Sequence, residues 1–174
     1  MSSHAREIGC CGSSAASLGG LAAQDFAALD EIAVRLVCAD GRLSAPARQM
    51  GRLLGERIAI ERSGRHLCLD EALATLVSAC GCECAVHSHS LERNLDGARL
   101  QITGCTTVLG WEIPSVNRTV CGFDAGLFEG FLSSATGKSV GVEETACLGM
   151  GDSSCEFEIT LHPAQAANSE QEGV

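Results

Sequence analysis

The sequence predicts an α+β domain in which helices cover an antiparallel sheet. Two observations carry that prediction. Apolar residues recur at helical spacing from residue 24 to about residue 80, after which the period falls toward two. Two pairs of short alternating segments are then separated by one more helical stretch, the order expected of hairpins packed under helices.

Taken in order, residues 1–20 are rich in Gly, Ser and Ala and are expected to be flexible. From Gln24 to Ala39, Phe26, Leu29, Ile32 (or Ala33) and Leu36 form one helical stripe that Gly41 ends. Ser44 and Pro46 read as the start of a second helix, because proline suits a first turn. Met50, Leu53, Leu54, Arg57 and Ile58 continue that helix to about Glu61. Asp70 is placed to cap a third helix, with Leu73, Leu76, Val77 and Cys80 on one face and Gly81 as its stop. Cys82 to Ser90 and Arg99 to Cys105 alternate as strands, joined by the turn-rich Asn94-Leu95-Asp96-Gly97. Thr106 to Pro114 shows no clear period. Cys121 to Ser134 returns to helix, and its Gly126 and Gly130 imply close backbone packing rather than a membrane motif. Thr136-Gly137-Lys138 breaks that helix. Ser139 to Cys147 and Ser154 to Leu161 then form the clearest hairpin, with Gly149, Gly151 and Asp152 supplying the turn. Residues 163–174 are polar and expected to be disordered. The domain plan is a flexible segment 1–20, an N-terminal helix within 21–45 suited to dimerisation, a folded domain over 46–162 and a tail over 163–174.

Composition narrows the function. Among 174 residues there are 12 Lys plus Arg and 22 Asp plus Glu, a formal charge of −10. An acidic surface repels phosphate backbones and anionic membranes, so nucleic acid and membrane are not expected partners. No apolar run is long enough for a spanning helix. The N-terminus lacks the basic-then-apolar order of a secretory signal, so a cytoplasmic protein is expected. Eleven cysteines are the outlier. An odd number cannot all pair within one chain, and in a reducing compartment abundant cysteines point to metal ligands, reactive thiols or small core residues.

Four residues converge on paper. Cys147 and Cys155 flank the turn of the last hairpin, so their sulfurs are expected to be close. Glu144 lies three residues earlier on the incoming strand. Cys121 begins the helix that leads into that strand. Three thiolates and a carboxylate complete a tetrahedral shell of the kind zinc accepts. The difficulty is parity: in an ideal strand Glu144 and Cys147 face opposite ways, so the site requires a bulge between them, with Glu143 as the fallback ligand. The shell would carry −4, or −2 once a dication is bound, which nearby backbone N–H groups or a cation such as Lys138 or Arg118 would offset.

The stretch CGFDAGLFEGFLSSATGKSVGVEETACLGMGDSSCEFEI (residues 121–159) resembles the 4-vinyl-reductase-type (4VR) domain, a ligand-binding fold related to haem-nitric-oxide-sensor and Golgi-transport proteins. The resemblance extends more weakly back to the helix containing MGRLLGERIA and so covers roughly residues 46–161. In the aromatic-sensing bacterial activators of that family the domain holds zinc through three Cys and one Glu. The resemblance therefore implies Cys121, Glu144, Cys147 and Cys155 as ligands here, and Gly151-Asp152 before the last Cys is also typical of it. The activators carry an ATPase domain and a DNA-binding helix pair, neither of which this sequence contains.

The expected function is accordingly a noncatalytic module with structural zinc, acting as sensor or carrier of a small apolar ligand. It would form a homodimer and signal through a separate protein partner. Two alternatives stand beside it. One, by family association, is an enzyme or accessory factor in tetrapyrrole and bacteriochlorophyll vinyl reduction. The other is a thiol-based redox or iron–sulfur protein, for which Cys80, Cys82 and Cys84, followed by His87 and His89, form a second candidate cluster. Strand alternation sets Cys82 and Cys84 on the face opposite His87 and His89, which argues against one shared ion. Cys10 and Cys11 lie in the flexible segment, Trp111 is expected in the core or a pocket wall, and His66 and His162 are expected at the surface. No phosphate loop, nucleophile elbow or haem-attachment motif is present.

Overall fold

The helix GFDAGLFEGFLSSAT is apolar on nearly every side, and a helix of that kind must be enclosed on nearly every side. The computed structural model, which describes residues 23–62, 66–80, 83–91, 95–103 and 112–162, places it at the centre of the molecule. The element order is α1 (Ala23–Ala39), α2 (Ser44–Arg62), α3 (Leu69–Cys80), β1 (Glu83–Leu91), β2 (Leu95–Thr103), α4 (Gly122–Thr136), β3 (Ser139–Ala146) and β4 (Cys155–His162). The strands form one antiparallel sheet in the order β1-β2-β4-β3. The α+β architecture of an antiparallel sheet covered by helices is therefore as the sequence predicts.

The central helix α4 meets α2 backbone to backbone. A Cβ on Gly51 or Gly55 would collide with the carbonyl oxygens of Phe123 and Leu127, and one on Gly126 or Gly130 with those of Arg48 and Arg52. Both helices thus carry glycines four residues apart, and each pair faces the other's carbonyls. On its sheet side α4 packs Phe128 edge-on against Phe157 of β4, with ring centroids 5.1 Å apart. Ala98 and Leu100 of β2, Ile159 and Leu161 of β4, and Val140 and Val142 of β3 are buried in the same core. Gly137, in the left-handed region at φ 68°, ends α4, and its N–H donates to the Ser133 carbonyl. The sheet edge at β3 is partly closed by Arg48 of α2, whose Nη2 donates to the Val142 carbonyl.

Three local readings are corrected. The link Asn94-Leu95-Asp96-Gly97 is not a turn throughout: Leu95, Asp96 and Gly97 belong to β2, opposite Leu91, Ser90 and His89. Pairing across the hairpin outweighs the turn preference of those residues. The third helix starts one residue earlier than an Asp70 cap requires. The Cys68 N–H instead donates to Glu71 Oε2, the return half of a capping box. Pro46 sits at the third rather than the first position of α2. The flexible segment 1–20, the tail 163–174, Cys10, Cys11, Cys105 and Trp111 lie outside the described residues. His66 and His162 are exposed, as expected.

The glycine contact yields the first prediction. Gly126→Ala or Gly130→Ala forces a methyl group into a backbone oxygen, and neither helix can relieve this by moving a side chain. Each is expected to cost at least about 1–3 kcal/mol, read as a lower urea midpoint with an unchanged slope.

Candidate metal centre

Three elements deliver the predicted ligands to one place. Cys121 is the N-cap of α4, Glu144 lies near the end of β3, Cys147 follows that strand, and Cys155 opens β4. One ligand atom from each lies within 4.8 Å of every other. The three cysteines are fully buried. The parity difficulty is resolved as the sequence requires: Glu144 pairs with Phe157 and Ala146 with Glu156, so the register shifts between them. That bulge turns Glu144 to the side on which Cys147 lies. The fallback ligand Glu143 remains on the strand opposite Glu158 and is exposed, outside the cluster.

The sulfurs are not disulfide-bonded. Cys121 Sγ is 3.9 Å from Cys147 Sγ and 3.5 Å from Cys155 Sγ, and all three are free thiols. A tetrahedral zinc with metal–sulfur bonds of about 2.3 Å sets its sulfurs roughly 3.8 Å apart, so the observed separations bracket the value such an ion demands.

The loop between Cys147 and Cys155 is built to present sulfur. Cys147 caps a short 3-10 turn, Leu148–Met150, and its Sγ accepts the Gly149 N–H at 3.4 Å. A second N–H, from Val120, reaches the same sulfur at 3.4 Å. Gly151, at φ 95°, reverses the chain in a conformation that favours glycine. Asp152 closes the loop twice over: its Oδ2 accepts the Cys147 N–H at 2.8 Å, and its own N–H donates to the Cys147 carbonyl at 3.2 Å. These backbone donors supply the compensation anticipated for an anionic shell. Lys138 does not, because it lies beyond the far end of α4, about 22 Å along the helix from Cys121. The guanidinium of Arg118 is directed to the Cys38 carbonyl of α1.

Glu144 shows what the site lacks when it holds only protons. Its Oε2 accepts the Cys121 N–H at 3.2 Å, whereas its Oε1 is buried without a hydrogen-bond partner. Burial, then the neighbouring Cys147, pushes its carboxyl up to about 8 from 4.5. A carboxylate raised this far, with one oxygen orphaned beside three buried sulfurs, fits a divalent cation that would occupy the orphan lone pair and remove the cost of ionisation. The four residues can therefore hold a metal ion.

The second thiol cluster is not assembled by the described residues. Cys80 ends α3 and Cys84 lies within β1, while Cys82 lies outside the described residues. The sequence reading missed the particular work of Asp152 and of the Val120 and Gly149 amides. An Asx residue inside a turn is a legible signal for the first. Backbone donors have no side-chain signature.

The fold and this cluster define an α+β domain with a buried Cys/Glu metal-binding constellation. The model of the vinyl-4-reductase (4VR) domain matches residues 99–161, which contain β2, α4, the last hairpin and all four site residues. The resemblance drawn from the motif is thereby borne out. An uncharacterized protein of Methanocaldococcus jannaschii is 32% identical over 63 residues, covering 36% of this chain and 38% of that protein. The match therefore spans less than half of the relative's length. Among solved structures, the phenol-responsive sensory domain of the transcription activator PoxR, in complex with phenol, superposes with a TM-score of 0.51 at 19% identity. That superposition covers 78% of this chain and 73% of the other. A trafficking protein particle complex subunit 3 from Naegleria fowleri, covalently bound to palmitic acid, gives 0.60 at 17% identity, over 83% and 97%. Both share the fold.

The raised carboxyl generates a pH prediction for the metal-free protein. The folded state holds a proton on Glu144 that the unfolded chain releases near 4.5. Stability from this group is complete below that value and is lost as pH rises toward 8, since the folded state binds more protons there. Thermal midpoints of chelated protein are expected to fall from pH 5 to pH 8, and Glu144→Gln is expected to flatten that fall.

Proposed function

We propose that this chain is a ligand-binding sensor or carrier module whose 4VR-type fold is stabilised by one zinc ion on Cys121, Glu144, Cys147 and Cys155. The observation that carries the reading is the convergence of those four donors, three of them fully buried, at tetrahedral spacing. A sulfur-rich tetrahedral set favours zinc over magnesium or calcium, which prefer oxygen. Four protein donors fill the coordination shell, so the ion's role is structural and the module is noncatalytic.

The ligand in this reading is small and largely apolar. Support comes from structures sharing the fold, one in complex with phenol and one carrying palmitic acid. It would lie between the sheet and its covering helices. In this reading the chain is cytoplasmic and dimeric, and it passes its signal to a separate protein. Leu29, Ile32 and Leu36 of α1 are exposed at helical spacing, which supports pairing through that helix. Among the described residues no helix is long and apolar enough to cross a membrane.

Elemental analysis of purified protein is expected to return one zinc per chain, falling to none in Cys121→Ala or Cys155→Ala. Chelation is expected to lower the melting temperature by more than about 10 °C, because structural zinc contributes several kcal/mol or more. A metal-free protein with an unchanged melting curve would overturn the reading. Two ions per chain, or an iron–sulfur absorption band, would instead favour the thiol-cluster alternative. Native mass spectrometry is expected to show a dimer with a small apolar adduct. A copurifying tetrapyrrole would favour the vinyl-reduction alternative.

A further inference from the structure

Residues 112–121 form neither helix nor strand, yet the end of this segment is fastened to the metal loop. The Val116 N–H donates to the Gly149 carbonyl at 2.7 Å, the Val120 N–H to Cys147 Sγ at 3.4 Å, and the Cys121 N–H to Glu144 Oε2 at 3.2 Å. The Arg118 carbonyl and the Val120 side chain press against Gly149 so closely that a Cβ there would lie 2.7 and 2.8 Å from them. Every one of these contacts is to a candidate ligand or to the turn that Cys147 caps.

The same segment reaches α1 through one side chain. Arg118 Nη2 donates to the Cys38 carbonyl at 2.6 Å, and its Cδ would lie 3.2 Å from a Cβ on Gly41. The Cys38 carbonyl is in the last turn of α1, where backbone acceptors run out of intrahelical donors. The N–H that would serve it in a longer helix is that of Arg42, which donates instead to Asp40 Oδ1. The last turn of α1 contains no basic residue of its own. Arg118 thus supplies, from a distant part of the chain, both the missing donor and the cation that suits a helix C-terminus.

We propose that residues 116–121 are a strap through which the metal centre holds α1, with Arg118 as the positioning residue. The inference rests on the metal reading above. Bound metal fixes the Cys147 loop and Cys121, these fix the strap, and the strap pins the C-terminal end of α1. Loss of the metal slackens the strap and releases a helix whose outer face exposes Leu29, Ile32 and Leu36. Metal occupancy is then read out as the docking of α1.

The test is backbone hydrogen exchange with peptide-resolved mass spectrometry on the full chain, with zinc content measured on the same samples. Arg118→Gln is expected to keep its zinc and its protection in α4, β3 and β4 while α1 exchanges about tenfold faster. Arg118→Lys, which keeps the charge, is expected to recover part of that protection. Chelating the wild type is expected to bring α1 to the Arg118→Gln level and to speed alkylation of the half-buried Cys38. Chelating Arg118→Gln is expected to add nothing further in α1. A zinc-loaded Arg118→Gln protein with unchanged α1 exchange would overturn the strap alone. So would a chelated wild type that loses protection at Cys147 and Gly149 but keeps it in α1. A wild type purified without metal would sink the metal reading instead, so the two failures are distinguishable.

Discussion

Three sulfurs with no solvent exposure and one mostly buried carboxyl occupy a volume small enough for a single ion. That crowding is the constraint on which the C-terminal half of the fold depends. Neutral thiols and a protonated carboxyl can share such a space, but they leave Glu144 Oε1 without a partner and give little to hold the Cys147 loop in place. Ionised, the same groups repel one another in a medium that screens them poorly. A dication reverses that balance: the charges that cost most without it become the attractions that tie four chain segments together. The two N–H groups on Cys147 Sγ and the Asp152 carboxylate beneath it hold the loop in the shape such an ion requires.

Placing the fourth donor is a packing problem. Cys121 stands at the N-terminus of α4, and its position follows from where that helix axis runs. The axis is fixed by backbone contact with α2 at Gly51, Gly55, Gly126 and Gly130, a contact with no side chains to deform. The ion pair between Arg48 and Glu129 brackets the same interface, and Arg48 also binds the Val142 carbonyl on the strand that carries Glu144. One arginine therefore touches both the helix that supplies Cys121 and the strand that supplies Glu144. A site carried on regular elements locked in this way keeps its geometry better than one built from loops.

The parts legible in the sequence were those set by local chemistry. Helical spacing located α1, α2 and α4 to within a few residues, and the glycines around 149–151 announced the hairpin. Parity alone demanded a bulge between Glu144 and Cys147, and the register shift is found there. Tertiary choices were less legible. Leu95 to Gly97 have turn chemistry but are recruited into β2 by pairing with β1, which a local window does not contain. Gly126 and Gly130 implied a close neighbour, but naming it required pairing them with Gly51 and Gly55. That second set was visible in MGRLLGERIA and became meaningful only once the two helices were in contact. Arg118 was legible as a cation near the cluster, not as the residue that would serve a helix ending 80 positions earlier.

A shell made wholly of protein donors has a consequence for how such a module can work. With no open coordination position, a metal there does not touch a ligand or polarise a bond, so selectivity for an apolar molecule has to arise from shape and burial elsewhere between helices and sheet. The metal can still influence that molecule through the elements it anchors. Any change that pulls α4 or β3 out of register must also distort Cys121 or Glu144, because neither has a flexible tether to its element. The resulting coupling is mechanical and reciprocal: occupancy that tightens the shell opposes movement of α4, and movement of α4 weakens the shell by the same free energy.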